Sequence, residues 1–347
     1  MPESGPRTTP VVDVHAHALP LPLLRWLEQQ GLADLAGAAD GVLTLATSLS
    51  GLPPHVVVPL PVEQHDRAAR LESMDQTGVD VQAVSAPPFV FGSECDDPRL
   101  VLEVTRRSND AIAEFVAGSG GRLVALASVP VGLPAAVEEL RRCRDELGMA
   151  GAAIGTFGGG RELDDERNEE LWAELTTDRC FVLLHPSRSS APERLADYHL
   201  VQLLGFPTET ALATSRLVFG GVLERHELVL CLAHGGGCTP SIGPRLDLGW
   251  RRKAVSRVVA HPPTEYLKRL RYDTAVFDPT SLRRLIDDYG AANVLLGTDA
   301  PFDLADREPV LTVRSLGLPE QQEEQVLGGN AVELLTGVAP VLAGDLP

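Results

Sequence analysis

Two of the nine histidines, His15 and His17, stand one residue apart in Val12-Asp13-Val14-His15-Ala16-His17. Alternate side chains of an extended strand share a face. Both imidazoles would therefore project together, as a pair of metal ligands does. Three later apolar runs also finish on groups that bind metals or move protons. They are Val182-Leu183-Leu184-His185, Leu232-Ala233-His234 with Gly235-Gly236-Gly237 behind it, and Leu296-Gly297-Thr298-Asp299. Any one strand-end histidine can be an ordinary core residue. Four such ends in order are what a metal site at the mouth of a barrel requires. A divalent ion there would lower the pKa of bound water and polarise oxygen atoms of a substrate. An imidazole titrates near neutral pH and can take up and deliver a proton. Those parts serve decarboxylation, hydrolysis of an amide, ester or lactone, or hydration, and the ligand set alone does not choose among them.

The elements that must position these groups are readable from hydrophobic patterning. Short apolar runs at Val11–Val14, Val79–Ser85, Leu123–Val129, Ala150–Gly155, Cys180–Leu184, Leu228–Leu232, Arg271–Val276 and Asn293–Gly297 read as strands buried on both faces. Amphipathic stretches lie between them. One is Pro134–Leu147, with Leu140 and Leu147 inward and Glu138, Glu139, Arg141 and Arg142 on the polar side; another is Ser281–Tyr289. Eight strands alternating with helices predict a (β/α)8 barrel, one domain over residues 1–347. Residues 19–66 break the rhythm and read as an insertion over the catalytic face, with a β-ribbon at Gly41–Leu49. Residues 303–347 read as a helical segment with a frayed end.

Composition narrows the function. The 347 residues hold 30 Lys+Arg against 48 Asp+Glu, a net charge of −18, which argues against a nucleic-acid partner. The five cysteines are odd in number and widely spaced, as reduced thiols are. Met1–Pro10 lacks the apolar core of a signal peptide, and no run is long enough to span a membrane. A cytoplasmic enzyme is expected. Only Lys253 and Lys268 are lysines.

The motifs resemble the amidohydrolase superfamily. The match extends over Asp13-Val14-His15-Ala16-His17, Met74-Asp75-Gln76-Thr77-Gly78-Val79, Phe206-Pro207-Thr208-Glu209-Thr210, Ala233-His234-Gly235-Gly236-Gly237, Gly297-Thr298-Asp299-Ala300-Pro301-Phe302 and Gly329-Asn330-Ala331. It is similar in particular to the branch of 2-amino-3-carboxymuconate-6-semialdehyde decarboxylase and related non-oxidative decarboxylases. That resemblance implies His15, His17, His185 and Asp299 as metal ligands and His234 as the acid/base beside a metal-bound water. It implies substrate contacts by Phe302 and by Arg245, the latter reaching across a homodimer interface. Many superfamily members bridge two metals with a carboxylated lysine on strand four. The segment Ala150-Gly151-Ala152-Ala153-Ile154-Gly155 has no lysine, so one ion is expected, zinc first and manganese second.

Two departures bear on the substrate, which the resemblance makes an aromatic or muconate-like carboxylic acid. No arginine lies between Arg25 and Arg67, and Val58 falls where the branch carries a carboxylate-binding arginine. The branch has Trp-Asp after the strand-five His-Pro, whereas this chain has Ser187-Arg188. Arg188 is either a replacement anion anchor or a solvated loop charge. His55 and His65 could face the pocket, while His199, His226 and His261 read as surface residues.

Overall fold

Eight strands run parallel and are hydrogen-bonded in chain order: β1 (Val12–His17), β2 (Val81–Ser85), β3 (Leu123–Val129), β4 (Gly151–Gly155), β5 (Phe181–His185), β6 (Val229–Leu232), β7 (Arg271–Asp273) and β8 (Val294–Leu295). The computed structural model describes residues 9–53, 56–177 and 179–335. The expectations for residues 1–8, for His55 and for the frayed end beyond 335 lie outside them. The seam between β8 and β1 is closed by Val14 N–H to the Leu296 carbonyl at 2.9 Å, Asp299 N–H to the His15 carbonyl at 2.8 Å and His17 N–H to the Ala300 carbonyl at 2.8 Å. The expected (β/α)8 barrel is therefore the observed fold.

The longer helices directly linking successive strands include α1 (Arg67–Thr77), α2 (Pro98–Val116), α3 (Ala136–Asp145), α4 (Glu169–Thr177), α5 (Phe206–Phe219), α6 (Thr239–Arg252) and α7 (Pro279–Tyr289). Their ends follow local chemistry. The Asp66 side chain caps α1 by accepting from Ala69 N–H, and Gly78 ends it in the left-handed conformation, φ 73°. Asp97 caps α2, with Pro98 supplying a helical φ at its first position. The polar side expected of α3 needs correction at Glu139, which is fully buried. Its carboxylate takes hydrogen bonds from Asn109 and Arg142 and pairs with Arg106, so the burial is compensated rather than penalised.

Simple alternation fails at one place in β1. The pairing of β1 with β2 slips between Asp13 and Ala16. Val12 and Val14 pack with Phe181, Leu183, Cys231 and Leu295 in the barrel's inner cluster. His15 and His17 nonetheless meet at the mouth, while Asp13 bonds Gln82 and Thr298. Such a bulge re-aims side chains beside a site.

Ala33–Asp34, Val42–Leu45 and Val57–Pro59 form a three-stranded antiparallel sheet. The ribbon expected within Gly41–Leu49 is thus one strand of three, and Thr47–Ser50 is a short helical turn. Its partner strands lie on either side, beyond the reach of a local pattern.

Gly297 fixes how closely β7, β8 and β1 approach. A Cβ there would lie 2.7 Å from the Asp273 Cβ and 3.0 Å from the His15 Cβ. Gly297→Ala should cost about 1–3 kcal/mol by overpacking. Chemical denaturation of the variant and parent measures it, and equal midpoints would show that the strands can yield.

Candidate metal centre and the cavity above it

His15, His17, His185 and Asp299 are buried, and one ligand-type atom from each lies within 4.8 Å of all the others. Each imidazole is oriented by a partner on its far nitrogen. His15 Nδ1 is 2.6 Å from Asp273 Oδ2, His17 Nδ1 is 3.2 Å from the Ala86 carbonyl, and His185 Nδ1 is 2.8 Å from the Pro186 carbonyl. These acceptors take the Nδ1–H of each ring and turn the three Nε2 atoms toward one another. His15 Nε2 lies 3.2 Å from His17 Nε2, and Asp299 Oδ1 lies 3.3 and 3.2 Å from those two atoms. Donors about 2.0–2.1 Å from a tetrahedral ion are about 3.3–3.4 Å apart. His185 Nε2 and Asp299 Oδ1 are buried with no hydrogen-bond partner among the described residues. Converging ring nitrogens, a facing carboxylate and buried atoms with no hydrogen-bond partner fit a cation.

Two buried carboxylates hold this arrangement. Asp273, at the end of β7, accepts from His15 Nδ1, His234 N–H at 3.0 Å, Gly235 N–H at 2.7 Å and Ala275 N–H at 3.1 Å. Asp13 accepts from His15 N–H at 3.0 Å, Gln82 Nε2 at 2.8 Å, and Thr298 through N–H at 3.1 Å and Oγ1 at 2.7 Å. Arg70 on α1 is 1 % exposed. Its guanidinium reaches Gln82 Oε1 at 3.0 Å and the His17 carbonyl, tying α1 to the ligand strand. Burial lowers its pKa to about 10, against the pull of Asp13 and Glu63. Asp273 and Arg70 escaped the sequence reading. An aspartate closing Arg271-Tyr272-Asp273 was the available signal for the first, and a buried helix arginine has none.

Charge in the cluster follows from these contacts. Burial opposes a charge on His15, but the carboxylates of Asp299 and Asp273 outweigh it and hold the pKa up to about 10. Burial lowers the pKa of His17 and His185. Burial would raise that of Asp299, but the facing imidazoles, His15 foremost, take it well below the usual carboxylate range.

His234 begins the turn after β6, with Nε2 3.4 Å from Asp299 Oδ2. It has φ 56° and Asp299 has φ 63°, left-handed values that cost a non-glycine residue about 1 kcal/mol each. The hydrogen bonds from His234 and Gly235 N–H to Asp273 oppose that cost at the first of them. His185, His234, Asp299 and Phe302 line a cavity of about 1530 Å³. Phe302 packs its ring 5.4 Å from that of His17. Val58, where the branch has arginine, is in the cavity wall.

Arg188 also lines the cavity. Its side chain is 26 % exposed and its guanidinium stacks 4.0 Å over Phe157. Its Nε lies 3.3 Å from Glu94 and 3.8 Å from Glu209. Arg245 is exposed on α6, outside this cavity. His65 is half-buried and does not line it. His226 is half-buried against Glu169 at 2.8 Å, His199 is exposed at the cavity rim, and His261 is exposed. Lys253 and Lys268 are both exposed. No helix of the described residues is long and apolar enough to cross a membrane.

A family model described as amidohydrolase matches residues 12–336. The chain is 34 % identical over 275 residues to a 2-amino-3-carboxymuconate-6-semialdehyde decarboxylase of Dictyostelium discoideum, covering 78 % of this chain and 76 % of that one. It is 33 % identical over 262 residues to a gamma-resorcylate decarboxylase of Rhizobium sp. (strain MTP-10005), covering 68 % and 77 %. A dihydroxybenzoic acid decarboxylase from Polaromonas sp. JS666, solved with manganese and the inhibitor 2-nitroresorcinol, superposes with a TM-score of 0.78 at 22 % identity, covering 97 % of this chain and 100 % of that one.

Asp273→Asn should weaken metal affinity about 10–100-fold by loosening His15. Competition with a chromogenic chelator measures the change, and unaltered affinity would remove Asp273 from that role. Metal uptake must also displace a proton from His15, whose pKa is about 10. Apparent affinity should therefore rise with pH across the neutral range, by up to about tenfold per unit. A flat profile would mean that His15 is already neutral.

Proposed function

The chain belongs to the amidohydrolase family, and from that premise we propose that it is a metal-dependent, non-oxidative decarboxylase of an aromatic or muconate-like carboxylic acid. The observation that carries this reading is the position of His234, an imidazole 3.4 Å from the ligand carboxylate of Asp299 and open to the cavity. Relatives that are named decarboxylases support it.

His15, His17, His185 and Asp299 would hold the ion, and zinc suits three imidazoles and one carboxylate. Manganese, present in the Polaromonas structure, is the alternative that elemental analysis distinguishes. When bound, the ion supplies Lewis-acid polarisation of substrate oxygens. Phe302 offers an aromatic face beside His17 for the substrate ring. His234 delivers a proton to the carbon that bears the carboxylate. The bond from that carbon to the carboxylate then breaks, its electron pair returns to the ring, CO₂ departs, and a hydrogen stands in its place. His234 is afterwards recharged with a proton from water.

Arg245 is exposed and does not line its own cavity, which leaves it free to serve the partner's substrate in a homodimer. Cys95, Cys143 and Cys231 are buried free thiols, which supports a reducing, cytoplasmic setting.

His234→Ala should lower kcat for CO₂ release about 10²–10⁴-fold while leaving metal content intact. Full activity in that variant would defeat the mechanism. Mixing His234→Ala with Arg245→Ala protein should restore about a quarter of the active sites, because one site of each mixed dimer then has both groups. Absence of recovery, with mixed dimers demonstrated, would place Arg245 outside the site.

A further inference from the structure

The cavity of about 1530 Å³ exceeds the roughly 300–1,000 Å³ typical of small-molecule sites. A single benzoic acid would occupy a small fraction of it. Beyond Phe302 the walls include two segments outside the barrel strands, with Leu52, Val57 and Val58 from the insertion and Leu195, Val201 and Leu203 from the stretch after β5. Val57 is 54 % exposed and Leu203 is 55 % exposed. Apolar surface continuous with a catalytic floor calls for an apolar ligand body.

The charges on the lining set the other half of the specificity. One guanidinium, Arg188, faces two carboxylates, Glu94 and Glu209, and Glu209 is held by Ser190 Oγ at 2.7 Å. The other lining guanidinium, Arg284, is 3.6 Å from Asp288. Glu193, Asp197 and Asp303 line the outer part with no ion pair among the described residues. A second anionic group on the ligand would meet a net negative wall in a chain of net charge −18.

We propose that the cavity takes an aromatic monocarboxylic acid of two or more fused rings, uncharged beyond its carboxyl group, with the insertion and the 195–203 segment as its specificity-determining walls. This rests on the decarboxylase reading above.

The test uses the full-length, metal-loaded enzyme with three probes: a hydroxynaphthoic acid, salicylic acid, and a hydroxynaphthalene dicarboxylic acid. CO₂ release and calorimetric binding are both measured. The hydroxynaphthoic acid should exceed the other two in kcat/KM by about tenfold or more, consistent with burial of the added ring. Salicylic acid turning over as well as the naphthoic acid would overturn the size assignment and leave decarboxylation standing. An equally good dicarboxylic acid would overturn the charge assignment. Tighter binding of the naphthoic acid without CO₂ from any probe would overturn the decarboxylase reading and leave the cavity assignment standing. Binding of none would overturn this proposal. Leu203→Asp puts a charge on a side chain that is already exposed, and it should shrink the ratio of naphthoic to salicylic kcat/KM about tenfold. An unchanged ratio, with an unchanged unfolding midpoint, would remove the 195–203 segment from the site.

Discussion

The carboxylate of Asp273 accepts four hydrogen bonds, from the His15 ring and from three backbone N–H groups after β6 and β7. A buried carboxylate is expensive unless it is fully satisfied, so those donors are fixed relative to one another. The metal-facing nitrogen of His15 and the backbone of His234 are thereby located by one side chain. Burial pushes against the ionised form of Asp273, yet the bond to His15 brings its pKa below the ordinary value. Asp13 acts similarly from the other side, joining His15, Gln82 and Thr298. Ligand geometry therefore belongs to the barrel's hydrogen-bond network and not to mobile loops.

The barrel was readable because buried parallel strands are short apolar runs whose ends coincide with a change of composition. Leu123–Val129 is the same as expectation and observation, while β7 stops at Asp273 where the apolar pattern runs on to Val276. The four ligand-type residues and His234 were readable because each ends such a run. The insertion's sheet was misplaced because antiparallel pairing joins Val42–Leu45 to strands on both sides, and no local periodicity encodes distant partners. Glu139 was misjudged for a related reason. A charged residue reads as solvated until its partner is known, and Arg106 and Asn109 lie about 30 residues away along the chain.

Chemistry and selectivity are built from different material. The ligands and His234 stand at strand ends, where the sheet fixes them. The outer walls stand on an added antiparallel sheet and on the segment that follows β5. Val58 and Arg188 can therefore differ from the related decarboxylases while the metal-facing residues keep the family pattern. The negative lining charges of Glu94, Glu193, Asp197 and Asp303 stand on residues other than the ligand-type cluster.

The seam between β8 and β1 has a consequence for the life of the chain. His15 and His17 precede Asp299 and the strand that closes on them in the chain, so they leave the ribosome earlier. A nascent or truncated polypeptide can display the His-x-His pair long before it can enclose an ion. Enclosure of an ion by all four groups is thus reserved for chains extended through Asp299.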